Sequence, residues 1–156
     1  MFSDGKRASD RAIELILAFY SAFNRGDWEG MLAMLSEDVA HDLNQGQREI
    51  GRDAFRTYIT RMQRCYSEQL RNLVVTTTPD GTHAAAEYVV HGEYKTDDAS
   101  AGPPSTGSSQ GIVLPPAKGQ RYVLPGGAFF DVRGNRIARV TNYFNLQDWV
   151  RQLGEN

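Results

Sequence analysis

Apolar residues recur at helical spacing in the first half of the chain and at strand spacing in the second. In DRAIELILAFYSAFNR (10–25), Ile13, Ile16, Leu17, Tyr20 and Phe23 define one helical face. Ser9 or Asp10 is placed to cap its start, and Asn24 to Gly26 to end it. Asp27 is an N-cap for a short second helix through Leu35, with Trp28, Met31, Leu32 and Leu35 as its apolar stripe. GRDAFRTYITRMQRCYSEQL (51–70) predicts a third helix, with Phe55, Tyr58, Ile59 and Met62 on one side and arginines elsewhere.

The period then shortens. LRNLVVTTT (70–78) is β-branched and PDGT (79–82) is a turn. HAAAEYVVHGEYKT (83–96), GQRYVLPGGAFFDV (119–132) and RIARVTNYFNL (136–146) predict three more strands, the last two joined at RGN (133–135). Asn145 is placed to cap a final helical turn, LQDWVRQL. Three helices followed by antiparallel strands predict an α+β fold, with helices on one face of a curved sheet. Strand 84–94 carries apolar residues on both faces, so its second face is expected to meet another copy of the chain, as a homodimer.

The compositional break is DDASAGPPSTGSSQGIVLPPAK (97–118), which holds four of the six prolines. With strands on both sides it predicts a long hairpin loop, flexible in its Ser/Gly part and apolar enough at VLPPA to dock. A length of 156 residues favours one domain, 1–156. A net charge of −2 with scattered arginines argues against nucleic acid, which needs a basic stripe. Cys65 is the single cysteine, and no apolar run suits a signal peptide or a membrane span, so a cytoplasmic protein without membrane association is expected.

The densest polar cluster is VAHDLNQG (39–46), where the chain enters the sheet. Neighbours on a strand face opposite ways, so Asp42 and Asn44 share one side while His41 shares the other with Val39 and Leu43. Patterning alone turns His41 inward and Asp42 toward water. Glu87 and His91 share one strand face, and Asn142 and Phe144 are expected to point inward because Arg139 prefers solvent. By alternation Tyr122, Leu124, Ala128 and Phe130 also face inward, unless PGG (125–127) is a bulge that switches parity. His83 and His91 are too far apart along a strand to share a metal ion, and no metal site is expected. Phosphate-binding loops and nucleotide fingerprints are likewise missing from the sequence, and no cofactor is expected.

FYSAFNRGDWEGMLAMLSEDVAHD and AAEYVVHGEY…LPPAKGQRYVLPGGAFFDVRGNRIARVTNYFNLQDW together resemble the SnoaL-like and ketosteroid-isomerase-related group of the nuclear transport factor two superfamily. The resemblance implies a cone-shaped barrel, a mostly antiparallel sheet wrapped on three helices, with an apolar pocket at one end and frequent homodimerisation. The ketosteroid isomerase site combines an aspartate base with a tyrosine and a protonated aspartic acid. By the resemblance Asp42, spaced from Gly51 as that base is from its glycine, matches the base and turns into the pocket. The two donor places fall on Phe19 and Gly127, so the isomerase kit is incomplete. The resemblance also points Phe129 inward.

These readings converge on a domain that binds a small apolar molecule. Its expected chemistry is cofactor-independent proton transfer on an enolisable ketone or polyketide-type substrate. Asp42 and His41 are the candidate catalytic residues. Tyr20, Asn44, Phe55, Glu87, His91, Tyr94, Phe129, Asn142 and Phe144 are the candidate substrate-binding residues. Two alternatives remain: epoxide-hydrolase or dehydratase-like water chemistry in the same pocket, and a binding or dimerisation module without catalysis.

Overall fold

The computed structural model describes residues 5–99 and 113–155. The predicted Ser/Gly stretch of the 97–118 loop lies mostly outside them. The elements run α1 (Ala8–Asn24), α2 (Trp28–Ala33), β1 (Leu35–Leu43), β2 (Glu49–Ile50), α3 (Arg52–Cys65), β3 (Tyr66–Thr77), β4 (His83–Tyr94), β5 (Gln120–Arg133), β6 (Arg136–Phe144) and α4 (Leu146–Glu155). The six strands form one open sheet in the order β2-β1-β6-β5-β4-β3. All pairs are antiparallel except β1 with β6. This is the mixed α+β class expected.

Several local signals act as read. The Asp27 side chain accepts the Gly30 N–H at 2.9 Å and starts α2. Gly134 and Asn135 both take positive φ, +57° and +61°, which closes the β5–β6 hairpin with the strand twist preserved. β5 keeps its register against β4 straight through Pro125, Gly126 and Gly127. Parity is therefore not switched, and Tyr122, Leu124, Ala128 and Phe130 are all buried.

One boundary and one side-chain orientation differ. The third helix ends at Cys65, and residues 66–70, read as helix, open β3 instead. Tyr66, Glu68 and Leu70 pair with Tyr94, Gly92 and Val90 of β4, and this long-range pairing overrides a modest helical preference. Phe129, expected inward, is 49% exposed on the outer sheet face, packed against Tyr143 with ring centroids 5.8 Å apart.

The core has two parts. α1, α2 and α3 bury Ile16, Phe19, Met31, Phe55 and Ile59 against Ala86, Phe130 and Val140 of the sheet. At the other end Tyr66, Tyr94, Tyr122 and Leu124 meet Trp149 and Leu153 of α4. Tyr94 ties together the described ends of the long loop: its hydroxyl accepts the Asp98 N–H at 3.1 Å and donates to the Pro115 carbonyl at 3.1 Å.

Candidate functional site

Between the two core clusters lies a cavity of about 120 Å³. Its walls are mostly aromatic: Phe19, Tyr20, Phe55, Tyr58, Tyr88 and Trp149. Alternation along the strands aims the polar groups. β1 contributes His41 and Leu43, β6 contributes Asn142 and Phe144, and β3 contributes Tyr66 and Glu68.

His41 is 5% exposed and sits against Tyr58 and Phe55, with ring centroids 4.5 and 4.7 Å away. Burial pulls its pKa down to about 4; Asp42 next to it opposes that shift and Arg61 adds slightly to it. The imidazole is thus neutral near pH 7. Tyr20 lies beside Tyr88, ring centroids 5.5 Å apart, and burial first, then the neighbouring phenol, pushes its pKa up. Tyr20 therefore keeps its proton.

The Glu68 carboxylate accepts a short hydrogen bond from the Tyr122 hydroxyl. Glu68, Gly92 and Tyr122 occupy one register row across β3, β4 and β5. Gly92 has no side chain, and a Cβ there would overlap the Tyr122 ring. That gap lets the phenol lie across β4 and reach Glu68. Although Glu68 as a residue is only partly buried, its carboxyl is embedded, and desolvation raises its pKa against the opposing Tyr122 hydrogen bond. On the same side Asp98 accepts from the Tyr66 hydroxyl at 2.6 Å and pairs with Arg61 Nε at 3.8 Å.

Five buried polar atoms on cavity-lining residues have no hydrogen-bond partner: Tyr20 Oη, His41 Nε2, Arg61 Nε, Asn142 Oδ1 and Trp149 Nε1. Buried polar atoms are ordinarily satisfied, so such a group around one apolar space is a signature of ligand recognition. Among the described residues no cluster of three His, Cys, Asp or Glu side chains could hold a metal ion.

Of the residues singled out from sequence, His41, Tyr20, Phe55, Asn142 and Phe144 line this cavity. Asp42 does not. Its carboxylate points to the other face of β1, where Arg48 Nε donates to it at 2.7 Å. Asn44, in the turn after β1 at φ 50°, spends its Oδ1 on the Phe144 N–H at 2.8 Å and acts as a splint between β1 and β6. Glu87 and His91 share the outer sheet face with Phe129 by strand parity, and Tyr94 belongs to the loop anchor. Sequence reading missed Glu68, Tyr58, Arg61, Tyr88, Asp98 and Trp149 as a group. The signal for Glu68 was present: had 66–70 been taken as strand, Tyr66, Glu68 and Leu70 would have fallen on one inward face.

A sheet folded over helices around an aromatic cavity with unpartnered polar groups defines an α+β small-ligand-binding domain. SnoaL-like domains match the chain over residues 16–140, and the chain belongs to that family. A candidate polyketide cyclase of Xanthomonas campestris pv. campestris is 57% identical, with 94% of this chain and 98% of that one covered and a TM-score of 0.83. A second candidate polyketide cyclase, from Pseudomonas putida KT2440, is 48% identical over 96% and 99% of the two chains, with a TM-score of 0.81. An epoxide hydrolase of the LEH-like type from M. tuberculosis shares the fold alone, at 19% identity and a TM-score of 0.67 over 93% and 90% of the chains. No curated protein matches the chain in sequence. No helix of the described residues is long and apolar enough to cross a membrane.

Proposed function

We propose that this protein catalyses cofactor-independent proton transfer on a small, largely apolar, enolisable carbonyl compound, with neutral His41 as the base. The observation that carries this reading is the set of five unpartnered polar atoms around one apolar cavity. His41 Nε2 takes the proton from the carbon next to the carbonyl. The bonding pair moves into the enolate, and the carbonyl oxygen gains the charge. Tyr20, held protonated by burial, donates to that oxygen. Asn142 Oδ1 and Trp149 Nε1 orient the rest of the molecule. Return of the proton to the same or a conjugated carbon completes an isomerisation; alternatively the enolate carbon attacks a second carbonyl within the molecule, whose oxygen takes the proton back from His41, and this completes a cyclisation. A base of pKa about 4 is adequate, since the aspartate base of ketosteroid isomerase works at about 4.6.

Size narrows the substrate. A cavity of about 120 Å³ compares with an engineered cavity of about 150 Å³ that binds benzene, so a single ring fits and a fused polycycle does not. The test is solvent deuterium incorporation into a panel of single-ring ketones and oxo acids, followed by NMR. Catalysed exchange is expected with wild type and a loss of about 10²–10⁴-fold with His41→Gln. Exchange that survives in His41→Gln rejects His41 as the base.

The outer sheet face supports a second copy of the chain as its partner. Val74, Val123, Phe129 and Tyr143 are exposed there, on strands β3, β5 and β6. Sedimentation should give a dimer for wild type and a monomer for Phe129→Asp; a monomeric wild type rejects this arrangement.

A further inference from the structure

Arg61 stands where two spaces meet. It lines the inner cavity and also an outer groove of about 400 Å³ between α3 and the start of the sheet, and His41, Leu43 and Tyr58 are walls of both. The α3 wall of the groove carries Arg56, Thr60, Arg61 and Arg64, close together on one side of the helix. The charges there are unequally occupied. Arg56 is engaged by Glu29, and Asp42 is engaged by Arg48. Arg64 has no ion pair among the described residues and offsets Glu49 on the opposite wall.

The Arg61 side chain is only 22% exposed. Its guanidinium carbon lies 5.5 Å from the centre of the Tyr58 ring, and its Nε is 3.8 Å from an Asp98 oxygen. That distance is an ion pair without a hydrogen bond. Nε is buried with no hydrogen-bond partner, and the guanidinium makes no hydrogen bond to any described residue. A guanidinium carries five N–H donors in a planar fork whose shape matches a carboxylate. Placed in the wall of an apolar cavity, it selects for a negative charge at one end of whatever fills that cavity.

We propose that the ligand is an amphiphilic anion: a single-ring apolar body fills the inner cavity and a carboxylate meets Arg61 at the wall shared with the outer groove. This rests on the proton-transfer reading above and narrows its carbonyl compound to an oxo acid. Asp98 holds Arg61 from the loop side, while the fork's remaining donors take the ligand. Arg61 and His41 both lie against the Tyr58 ring, the guanidinium carbon 5.5 Å and the imidazole centre 4.5 Å from its centre, so the anchored end and the base flank the same side chain.

Phenylacetate and phenylacetamide, alike in shape and different in charge, test this by titration calorimetry on the full chain. Wild type is expected to bind phenylacetate at least about tenfold more tightly than phenylacetamide. Arg61→Gln should bring that ratio close to one with phenylacetamide affinity unchanged, while Arg71→Gln, on exposed β3, should leave it alone. Because removal of Arg61 takes a cation from beside the buried Asp98 carboxylate and can cost folding, a second readout uses wild type: the Arg61 Nε–H resonance should move on adding phenylacetate and stay in place with phenylacetamide. Equal affinities in wild type, or a ratio that survives in Arg61→Gln, overturn the anion requirement and leave the cavity reading standing. Binding of neither probe overturns the single-ring cavity reading and this inference with it.

Discussion

His41 and Asp42 are chain neighbours that serve opposite faces of β1. The imidazole lines the cavity with its ring 4.5 Å from Tyr58, whereas the carboxylate leaves the cavity and accepts from Arg48 Nε at 2.7 Å. Asp42, expected as the base, thus lies on the side of β1 away from this cavity, because neighbours on a regular strand face opposite ways.

Asp42→Asn is accordingly expected to keep proton-transfer activity within about tenfold of wild type, against a loss of about 10²–10⁴-fold for His41→Gln. Its cost falls on stability. The Asp42 carboxylate is nearly buried but Arg48 is half exposed, so the pair contributes about 1 kcal/mol, or a Tm lower by roughly 2–4 °C in a chain of this length. Calorimetry of the folded variant, beside deuterium-exchange rates, separates the two effects.

The buried imidazole makes stability depend on pH. His41 has a pKa of about 4 in the folded chain against 6.5 ordinarily, so between these values the unfolded chain binds the extra proton. The contribution of neutral His41 is complete above about pH 6.5 and is lost as pH falls toward about 4, amounting to roughly 3 kcal/mol. Urea unfolding at a series of pH values should show this slope in wild type and a flatter one in His41→Gln. Parallel curves for the two proteins would refute the assignment.

Glu68 has the opposite sign. Its pKa is raised in the folded state by desolvation, so its protonated form is favoured there, and stability declines as pH rises through the folded-state value. Glu68→Gln keeps an acceptor for the Tyr122 hydroxyl and removes the embedded charge. The variant should be more stable than wild type at neutral pH, with the gain shrinking as pH is lowered through the carboxylate range. A gain that does not vary with pH would show that charge is not its cause.

Gly92 leaves the space through which Tyr122 reaches Glu68. Gly92→Ala places a methyl group in the path of a fully buried ring, and overpacking of this kind costs about 1–3 kcal/mol. The near-ultraviolet circular dichroism of the tyrosines should change along with the denaturation midpoint. Unaltered spectra and stability would mean that the ring can lie elsewhere.

What the chain determined by itself is what neighbouring residues decide together. The 3.6-residue spacing of Ile13, Ile16, Tyr20 and Phe23, the Asp27 cap, the Gly134–Asn135 turn and the alternation of Tyr122, Leu124, Ala128 and Phe130 are local and carry into the structure, whereas Leu17, read on the same face of α1, is exposed. They suffice for an α+β class and for a set of inward residues including Tyr20, Phe55 and Asn142. What tertiary structure decided is that β1 follows its own patterning, with His41 inward, rather than the spacing match that turned Asp42 into the pocket, and where α3 stops. Both depend on partners distant in sequence: β1 runs parallel to β6, which turns His41 with Val140 and Leu43 with Asn142 inward, and Tyr66 to Leu70 are drawn into strand by β4. A polar residue on a strand is equally compatible with water and with a pocket until the opposing layer is in place, because alternation determines that two faces exist and only packing determines which one is buried.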